Sequence, residues 1–571
     1  MGFADSLFRS ARTCLSTGYE IAFYWQLKSW RWFTNQPQRS LLLETLTSAN
    51  EFEEWEAAAV SLDVLMGNDV WRQQHVSKSY NYALIHQRLQ VFMEALDEAD
   101  IPALHDLLRS GLARNLGGIL TSRLYERANA GTKVLIEAYV AEVNNAIREI
   151  RDCPSFMTAD TTLDAQSKLT VLHDTRLSYG RSVLVLQGGS IFGLCHLGIV
   201  KALHLRGLLP RIIAGSATGA LMASLVGVRK DEELLHFLSG HGMDLSAFAD
   251  DRDGNDQSSN HDEGSWFQTL WTRTQRFLET GFILDVNQLK RVVRANIGDA
   301  TFEEAYERTG RILNITISTS TPGSPTLLNY ITAPNVLIWT AALASNAIEI
   351  RDSPVPLQCK LSDGSIALWD IPYTTSVSKA ESKRRAAATS TLAKESPLTR
   401  LSELFNVNHF IVSQARPYIA PFLTPSIRST KIPFSVRAFK LLRMEFQHRL
   451  GQLNTLGFLP LSFKRLVLDE QVPGSSLDLV PEVSLWDFAR FFRNPTPEDV
   501  NHWILRGERS VWPNVVALTV RLSIEFELEN AYQLTRRRDR RGSGAHEEES
   551  GEELMIRRRK RKRAKSFSTA A

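Results

Sequence analysis

The chain has 571 residues, of which 43% are hydrophobic and 23% charged, a balance typical of globular proteins. At about 150 residues per domain, this length predicts two to four domains. The net charge of +3 provides no strong field, so no nucleic-acid partner is expected. None of the four cysteines (Cys14, Cys153, Cys195 and Cys359) forms a CxxC pair. This spacing argues against a zinc site or a disulfide framework and fits a reducing compartment.

The sequence pattern divides the chain into four regions. Apolar residues three and four apart predict a helical N-terminal region over residues 1–170. Short aliphatic runs then alternate with helices over residues 171–420, which predicts an α/β domain with a largely parallel sheet. A helical pattern returns over residues 421–535. The charge blocks of residues 536–571 show no periodicity and predict a disordered tail.

Within the α/β region, β-branched and aliphatic runs mark the strands. The predicted strands lie at residues 182–186, 211–214, 312–318 and 409–413. The stretch Ser182–Val200 has no Lys, Arg, Asp or Glu and is long enough to span a bilayer. Its glycines favour a buried strand, turn and helix instead, although a single-pass span is the alternative.

Three features bear on location. No signal peptide is predicted, because charge begins at Asp5 without an apolar core and cleavage site. Aromatic residues alternate with basic ones between residues 24 and 33, a mixture that suits lipid headgroups but also suits a packed helix. The basic run at residues 557–565 would bind anionic lipid, act as a nuclear import signal, or only be solvated. We expect an intracellular protein associated with a membrane or a lipid droplet.

A serine beside glycines marks the candidate reactive site. The strand candidate "RIIA" leads into Gly215-Ser216-Ala217-Thr218-Gly219, and an apolar helix follows. We interpret this segment as a GxSxG motif with Ser216 as the nucleophile, because that motif lies between a strand and a helix. Flanking glycines permit a tight turn, and the start of a helix would stabilise an alkoxide.

A second glycine turn precedes this one in the sequence. The segment "QGGSIFG" (187–193) also follows a predicted strand and opens a helix. Backbone N–H groups without side-chain obstruction suit an oxyanion hole, which we assign to Gly188, Gly189 and Gly193. A dinucleotide-binding fingerprint is the rival interpretation, but the third glycine spacing and the acidic residue after the next strand are missing.

The segment "LVLQGGSIFGLCHLGIVKALHLRGLLPRIIAGSATGALMASLVG" resembles the nucleophile region of the patatin-like phospholipases, especially the branch with fungal and plant triacylglycerol lipases. The segments "APNVLIWTAALASNA" and "SPLTRLSELFNVNHFIVSQARPYIAPFL" are similar to that branch, so the resemblance spans roughly residues 60–440. It implies a three-layer α/β/α fold, hydrolysis of lipid acyl esters and a Ser–Asp dyad. It implies no metal and no cofactor, and a lipid substrate at a membrane or lipid-droplet surface.

The resemblance also assigns roles to individual residues. Ser216 falls on the nucleophile, and the glycines of 187–193 fall on the oxyanion loop, whose usual DGGGxRG is here QGGSxFG. Phe192 therefore replaces a basic residue. The dyad aspartate belongs to an Asp-Gly-Ser turn, which this chain has at Asp363.

The position of that turn leaves alternatives open. In the lipase branch it lies just before "LTRLSELFNVNHF", whereas here the basic insertion 376–396 separates the two. Asp363-Gly364 is also an ordinary hairpin signal. Asp352 and Asp370 are further candidates for the base, and the loss of any base is another alternative.

Histidines provide a different possible triad. His196, His204 and His409 are the candidates. An α/β-hydrolase places its histidine late and on a loop, so a packed helix residue is the simpler interpretation of His196.

Together these patterns predict a serine acyl-ester hydrolase that cleaves triacylglycerol or phospholipid. Ser216 would attack the acyl carbonyl, Asp363 would accept its proton, and the amides of residues 188–189 would hold the oxyanion. A transacylase that passes the acyl group to a lysolipid or glycerol hydroxyl is one alternative. The other is a non-catalytic lipid-surface or scaffold protein with the same fold.

Overall fold

The computed structural model describes more than half of the chain and leaves several long segments undescribed. The described residues are 36–153, 156–158, 161–163, 165–188, 190–239, 286–317, 327–346, 356–369, 396–415, 473–482 and 497–538, with isolated positions between 26 and 452. The aromatic residues between 24 and 33, the basic insertion up to residue 395 and the basic tail lie outside them.

Helices dominate the described N-terminal part. Its elements are α1 (Gln36–Ser48), α2 (Phe52–Met66), α3 (Asn68–Gln73), α4 (Tyr82–Asp97), α5 (Ile101–Gly111), α6 (Val134–Asp152), the hairpin β1 (Phe156–Thr158) and β2 (Thr161–Leu163), and α7 (Ala165–Tyr179). Side chains define two of the helix starts. Asn81 accepts a hydrogen bond from the amide of Leu84, and Asp100 accepts one from the amide of Ala103, so each caps an otherwise unpaired N–H.

Strands and helices alternate from residue 181 onward, as the sequence pattern predicts. The elements are β3 (Arg181–Gln187), α8 (Cys195–Leu205), β4 (Ile212–Ser216), α9 (Thr218–Gly227), α10 (Asp231–Leu238), α11 (Val286–Ile297), α12 (Phe302–Thr309), β5 (Ile312–Thr316), β6 (Leu327–Leu328), α13 (Ile338–Asn346), β7 (Gln358–Lys360), β8 (Ile366–Leu368), α14 (Pro397–Phe405), β9 (Val407–Gln414), β10 (Ser475–Leu479), α15 (Pro497–Val511) and α16 (515–538). All four predicted strands are present.

The central sheet contains six of the described strands in the order β10-β9-β3-β4-β5-β6. Neighbouring strands are parallel, except that β6 runs antiparallel to β5. The pairing of β3 with β4 places Gln187 opposite Ser216, so both strands end at the same edge. The prediction of a largely parallel sheet is confirmed.

Helices cover both faces of this sheet, which gives the α/β/α layers that the resemblance implied. On one face, Leu184, Leu186 and Ile213 pack with residues of α8, α9, α13 and α15. On the other face, Val183 and Ile212 pack with α14. Aliphatic residues at successive positions of β3 are explained by this two-sided burial.

The stretch 182–200 forms β3, a 3-10 turn (Ser190–Leu194) and the first part of α8. The strand–turn–helix interpretation is therefore confirmed, and the single-pass span is not supported. Among the described helices, none has both the length and the apolar composition needed to cross a bilayer.

A glycine contact joins α8 to α15. A Cβ at Gly198 would overlap the carbonyl oxygen of Ile504, and one at Gly507 would overlap the carbonyl oxygen of Cys195. The two helix backbones therefore touch directly. This contact buries α8, which follows the candidate oxyanion loop, beneath a helix more than 300 residues later in the chain.

A buried polar cluster connects the N-terminal helices, the sheet and α16. The Arg114 guanidinium pairs with Glu525 of α16 at 3.0 Å and donates to the Ser182 hydroxyl of β3 at 3.0 Å. Arg521 of α16 lies 3.3 Å from His409 of β9. Burial and the two arginines hold the pKa of His409 well below its ordinary value, so this histidine is neutral.

The glycine contact leads to a stability prediction. We expect Gly507→Ala to lower the free energy of unfolding by about 3 kcal/mol, the upper end of the usual cost of overpacking, because the added methyl forces two helix backbones apart. Gly207→Ala is the matched control. Its Cβ meets no atom within 4 Å, and its φ of 63° limits the cost to about 1 kcal/mol. Urea unfolding of both variants measures the difference, and equal losses would contradict a direct helix contact.

Candidate active site

The turn between β4 and α9 lies at the edge where the parallel strands end. Ser216 is the last residue of β4, and α9 begins at Thr218. Residues 216–218 are half-buried, whereas Gly215 and Gly219 on either side are buried. Among residues 215–219, solvent therefore reaches only the turn itself.

Ala217 carries the unusual backbone conformation of the turn. Its φ is 52° and its ψ is −126°, in a left-handed region that favours glycine. The backbone is held in place from both sides. The Ala217 N–H donates to the Ser345 hydroxyl at 2.9 Å, and its carbonyl accepts from the Asn346 side chain at 3.2 Å and from the Ala220 amide at 2.9 Å.

The position of Ser216 differs from that expected of a GxSxG serine. In that motif the serine is the third residue and sits on the strained strand-to-helix turn. The third residue of Gly215-Ser216-Ala217-Thr218-Gly219 is Ala217, and the left-handed φ belongs to Ala217 as well. Ser216 precedes that position by one residue, so the segment matches the motif in its glycines and its turn but not in its serine.

Both flanking glycines are required by close backbone packing. A Cβ at Gly215 would lie 2.6 Å from the Cα of Ala220, and a Cβ at Gly219 would overlap the backbone of Leu186 in β3. The first turn of α9 thus lies directly on the ends of β3 and β4. The sequence-based expectation of a tight glycine turn agrees with this geometry.

The loop after β3 lies against the same turn. The Gly188 N–H donates to the Ser216 carbonyl at 3.3 Å, so in this arrangement that donor is already occupied. A Cβ at Gly193 would lie 2.5 Å from the side chain of Thr218, which brings this glycine close to the start of α9. Gly189 lies outside the described residues. The structure therefore brings Gly188, Gly193 and Ser216 together.

Phe192 is buried in this loop. Its ring packs edge-on against Trp503 of α15, with ring centroids 5.1 Å apart. An apolar contact with the C-terminal helix thus occupies the place where the family pattern has a basic residue.

His196 connects this loop to β9 through hydrogen bonds. Its Nε2 lies 3.3 Å from the Gly188 carbonyl and its Nδ1 lies 2.5 Å from the Ser413 hydroxyl of β9. Because a carbonyl only accepts, Nε2 carries the proton and Nδ1 accepts from Ser413. Burial lowers the pKa of His196 to about 4, so the ring is neutral. This is a packed structural histidine, and sequence reasoning did not anticipate its Ser413 partner on β9.

Asp363 lies in the exposed turn between β7 and β8. Its carboxylate accepts hydrogen bonds from the amide and hydroxyl of Ser365, at 2.9 and 2.6 Å, which lower its pKa. The hairpin bonds to residues 335–337, just before α13, whereas the other end of α13 contacts the turn after β4. Since the nine residues of α13 rise about 12 Å, the two turns are far apart.

The structure therefore does not bring Asp363 to Ser216. Asp352 and Asp370 lie outside the described residues. Within the described part of the chain, no carboxylate hydrogen-bonds to the Ser216 hydroxyl. His409 and His204 do not reach Ser216 either. His409 contacts Ser182 at 3.2 Å, and His204 lies 4.0 Å from Asp231.

Sequence reasoning missed the residues that hold the turn. Ser345 and Asn346 form the end of α13, and Ser345 also donates to the carbonyl of Thr316 in β5 at 2.6 Å. Their signal was present in "ALASN", where two polar residues end an otherwise apolar helix. The special role of Ala217 could have been found by counting positions within the five-residue motif.

The neutral state of His196 predicts a pH dependence of stability. Between pH 6.5 and pH 4 the unfolded chain binds a proton at this residue and the folded chain does not, so stability falls as the pH falls. We expect His196 to account for a loss of about 2 kcal/mol between pH 7 and pH 5. His196→Gln should unfold in urea with a shallower pH dependence than the unmodified chain. Equal pH slopes would contradict the assignment.

Comparison with known proteins identifies the family. A model described as "Domain of unknown function (DUF3336)" matches residues 32–177, and a model described as "Patatin-like phospholipase" matches residues 184–370. The type III effector protein ExoU, a solved structure, aligns at 12% identity over 62% of this chain and 54% of its own, with a TM-score of 0.23 that supports no argument.

Curated relatives match over most of the chain. The chain is 35% identical to triacylglycerol lipase ptl1 of Schizosaccharomyces pombe, over 84% of this chain and 82% of that protein. It is 33% identical to triacylglycerol lipase ptl3 of the same yeast, over 85% and 95%. Triacylglycerol lipase 4 of Saccharomyces cerevisiae is 32% identical over 87% and 54%. The chain therefore belongs to the patatin-like phospholipase family, in the group that contains these fungal triacylglycerol lipases.

Proposed function

We propose that this chain acts on the acyl esters of lipids, as a lipid ester hydrolase of the patatin-like family. The relatives at 33 to 35% identity are named triacylglycerol lipases, and they align over most of their own length. Triacylglycerol or phospholipid is the proposed substrate class, and a lipid-droplet or membrane surface is the proposed place of action.

The observation that carries this proposal is the strand–turn–helix unit at the sheet edge. The turn of residues 216–218 is half-buried, flanked by buried glycines and backed by the loop after β3. An ester carbonyl placed at such a turn lies close to backbone N–H groups at the positive end of α9.

In the hydrolase mechanism, a nucleophile on the turn attacks the acyl carbonyl and a base takes its proton. The ester bond to the alcohol breaks, and water then releases the fatty acid from the acyl-enzyme. Ser216 is the nucleophile predicted from the sequence. Asp363, the base predicted with it, lies on a separate turn, so this mechanism requires a base outside the described residues, for which Asp352 and Asp370 are the candidates. Passing the acyl group to another alcohol in place of water would make the chain a transacylase.

Exposed apolar side chains on the N-terminal helices favour action at a lipid surface. Val60 and Val64 of α2 are 46% and 59% exposed, and Val70 of α3 is 67% exposed. Apolar side chains on an amphipathic surface insert into the boundary between headgroups and acyl chains.

A second candidate is binding of an acyl lipid without hydrolysis. The observation that favours it is the methyl group of Ala217 at the strained position of the turn, where the GxSxG motif has its serine. The exposed location of Asp363 favours it as well.

Fatty-acid release from emulsified trioleoylglycerol and from phosphatidylcholine vesicles tests the two candidates. If the chain hydrolyses through Ser216, we expect Ser216→Ala to lower the rate by at least about 10³-fold. Ser224→Ala on α9 is the matched control, because its hydroxyl bonds only within the helix to Ala220. Adding lysophosphatidylcholine as acceptor distinguishes acyl transfer from hydrolysis.

The possible outcomes separate the two candidates from each other and from the absence of both. Release that depends on Ser216 supports the serine hydrolase. Flotation of the chain with vesicles supports lipid binding without hydrolysis if neither the unmodified chain nor Ser216→Ala releases fatty acid. Neither flotation nor release would contradict the proposed function as a whole.

A further inference from the structure

We infer that Ala217, not Ser216, is the residue that the turn presents to an acyl lipid, so that the ester meets a methyl group and no acyl-enzyme forms at Ser216. This inference rests on the proposed acyl-lipid site and selects the second candidate function.

Strand alternation is the first argument. In β4, side chains alternate between the two faces of the sheet, so Ser216 lies on the same face as Ile212 and Ala214. Ile212 and Ala214 belong to the core that packs on α14. The alternation therefore assigns Ser216 to the α14 face, whereas α9 and the loop after β3 lie on the other face with Ile213.

Backbone conformation is the second argument. Only three non-glycine residues of the described chain have a positive φ: Ala99, Ala217 and Asn406. Asn406, at φ 54° and ψ 47°, is an ordinary left-handed helix end. Ala217, at ψ −126°, adopts instead the conformation of the first central residue of a type II′ turn, which glycine dominates. Such a conformation costs on the order of 1–3 kcal/mol and persists where the surroundings impose it.

The hydrogen bonds of the turn are the third argument. They engage the backbone of Ala217 on both sides, through Ser345 and Asn346, and the carbonyl of Ser216 through Gly188. The N–H of Ala217 would be the donor next to a nucleophile at Ser216, and it already donates to Ser345. A nucleophile at position 216 would therefore lack that donor, whereas a side chain at position 217 would be followed by the N-terminus of α9.

Strand alternation, backbone conformation and hydrogen bonding all point to position 217. The glycines, the turn and the helix of a nucleophile motif are all present, and only the hydroxyl at its third position is replaced by a methyl. The chain would thus retain the surface that faces an acyl ester and lack the group that attacks it.

Cysteine accessibility tests the inference without requiring activity. Ser216→Cys and Ala217→Cys are made in the full chain and treated with octyl methanethiosulfonate. The thiolate attacks the reagent's sulfenyl sulfur, a mixed disulfide forms and methanesulfinate leaves. Peptide mass spectrometry measures each rate, and Cys153, which is partly exposed, serves as an internal reference in every sample. Both variants are first checked for native far-UV circular dichroism and unfolding temperature.

We expect the cysteine at 217 to react at least about tenfold faster than the cysteine at 216, since reactivity follows exposure of the thiolate. We also expect mixed vesicles of phosphatidylcholine and trioleoylglycerol to slow only the reaction at 217. Equal rates, or a faster reaction at 216, would overturn the inference.

A second measurement uses the unmodified chain and so does not depend on the folding of a variant. Fluorophosphonate treatment followed by peptide mass spectrometry should leave Ser216 unlabelled. An adduct on Ser216 would overturn the inference while supporting the proposed hydrolase. If vesicles neither bind the chain nor protect either cysteine, the proposed lipid site fails, and the two reaction rates still show which residue the turn presents.

Discussion

Direct backbone contact at the ends of β3 and β4 is the constraint on which the rest of the site depends. Because Gly215 and Gly219 have no side chains, the first turn of α9 rests on the strand backbones themselves. The chain must then pass from the strand into the helix within one residue, and Ala217 takes a left-handed conformation to do so. The same contact fixes the loop after β3, since the Gly188 amide bonds to the Ser216 carbonyl. The turn and the described part of the loop are thus joined by a backbone hydrogen bond.

The sheet that carries this arrangement depends on distant parts of the chain. β9 lies between β10 and β3, although it follows the segment matched by the patatin-like model at residues 184–370. α15 buries α8 through the glycine contact, and α16 shares a core with the N-terminal helices. The Arg114–Glu525 pair is buried as well. Removing one partner of such a pair typically costs about 3–5 kcal/mol, because the other charge remains buried and unpaired.

Local patterns were sufficient to predict the elements around the site. The strands at 182–186 and 211–214 are aliphatic runs bounded by glycine, and each leads directly into a helix in the structure. The sequence was insufficient where two structures share one signal. Asp363-Gly364 marks both a dyad turn and a hairpin, and only the pairing of β7 with β8 distinguishes them. His196 and its partner Ser413 are separated by 217 positions in the chain, and Ala217 and its partner Ser345 by 128 positions. No local pattern reveals such contacts.

The same limit applies to the turn itself. The glycines at 215 and 219 predicted its sharpness, and counting from Gly215 places Ala217 at the third position of the motif. The structure adds that the left-handed φ also belongs to Ala217. A glycine at 217 would adopt this φ without strain, whereas alanine retains the strain and keeps a Cβ at the turn. The hydrogen bonds from the end of α13 maintain that conformation with no hydroxyl to orient. The turn thus keeps the strained backbone of the GxSxG motif and places a methyl group where that motif has its hydroxyl.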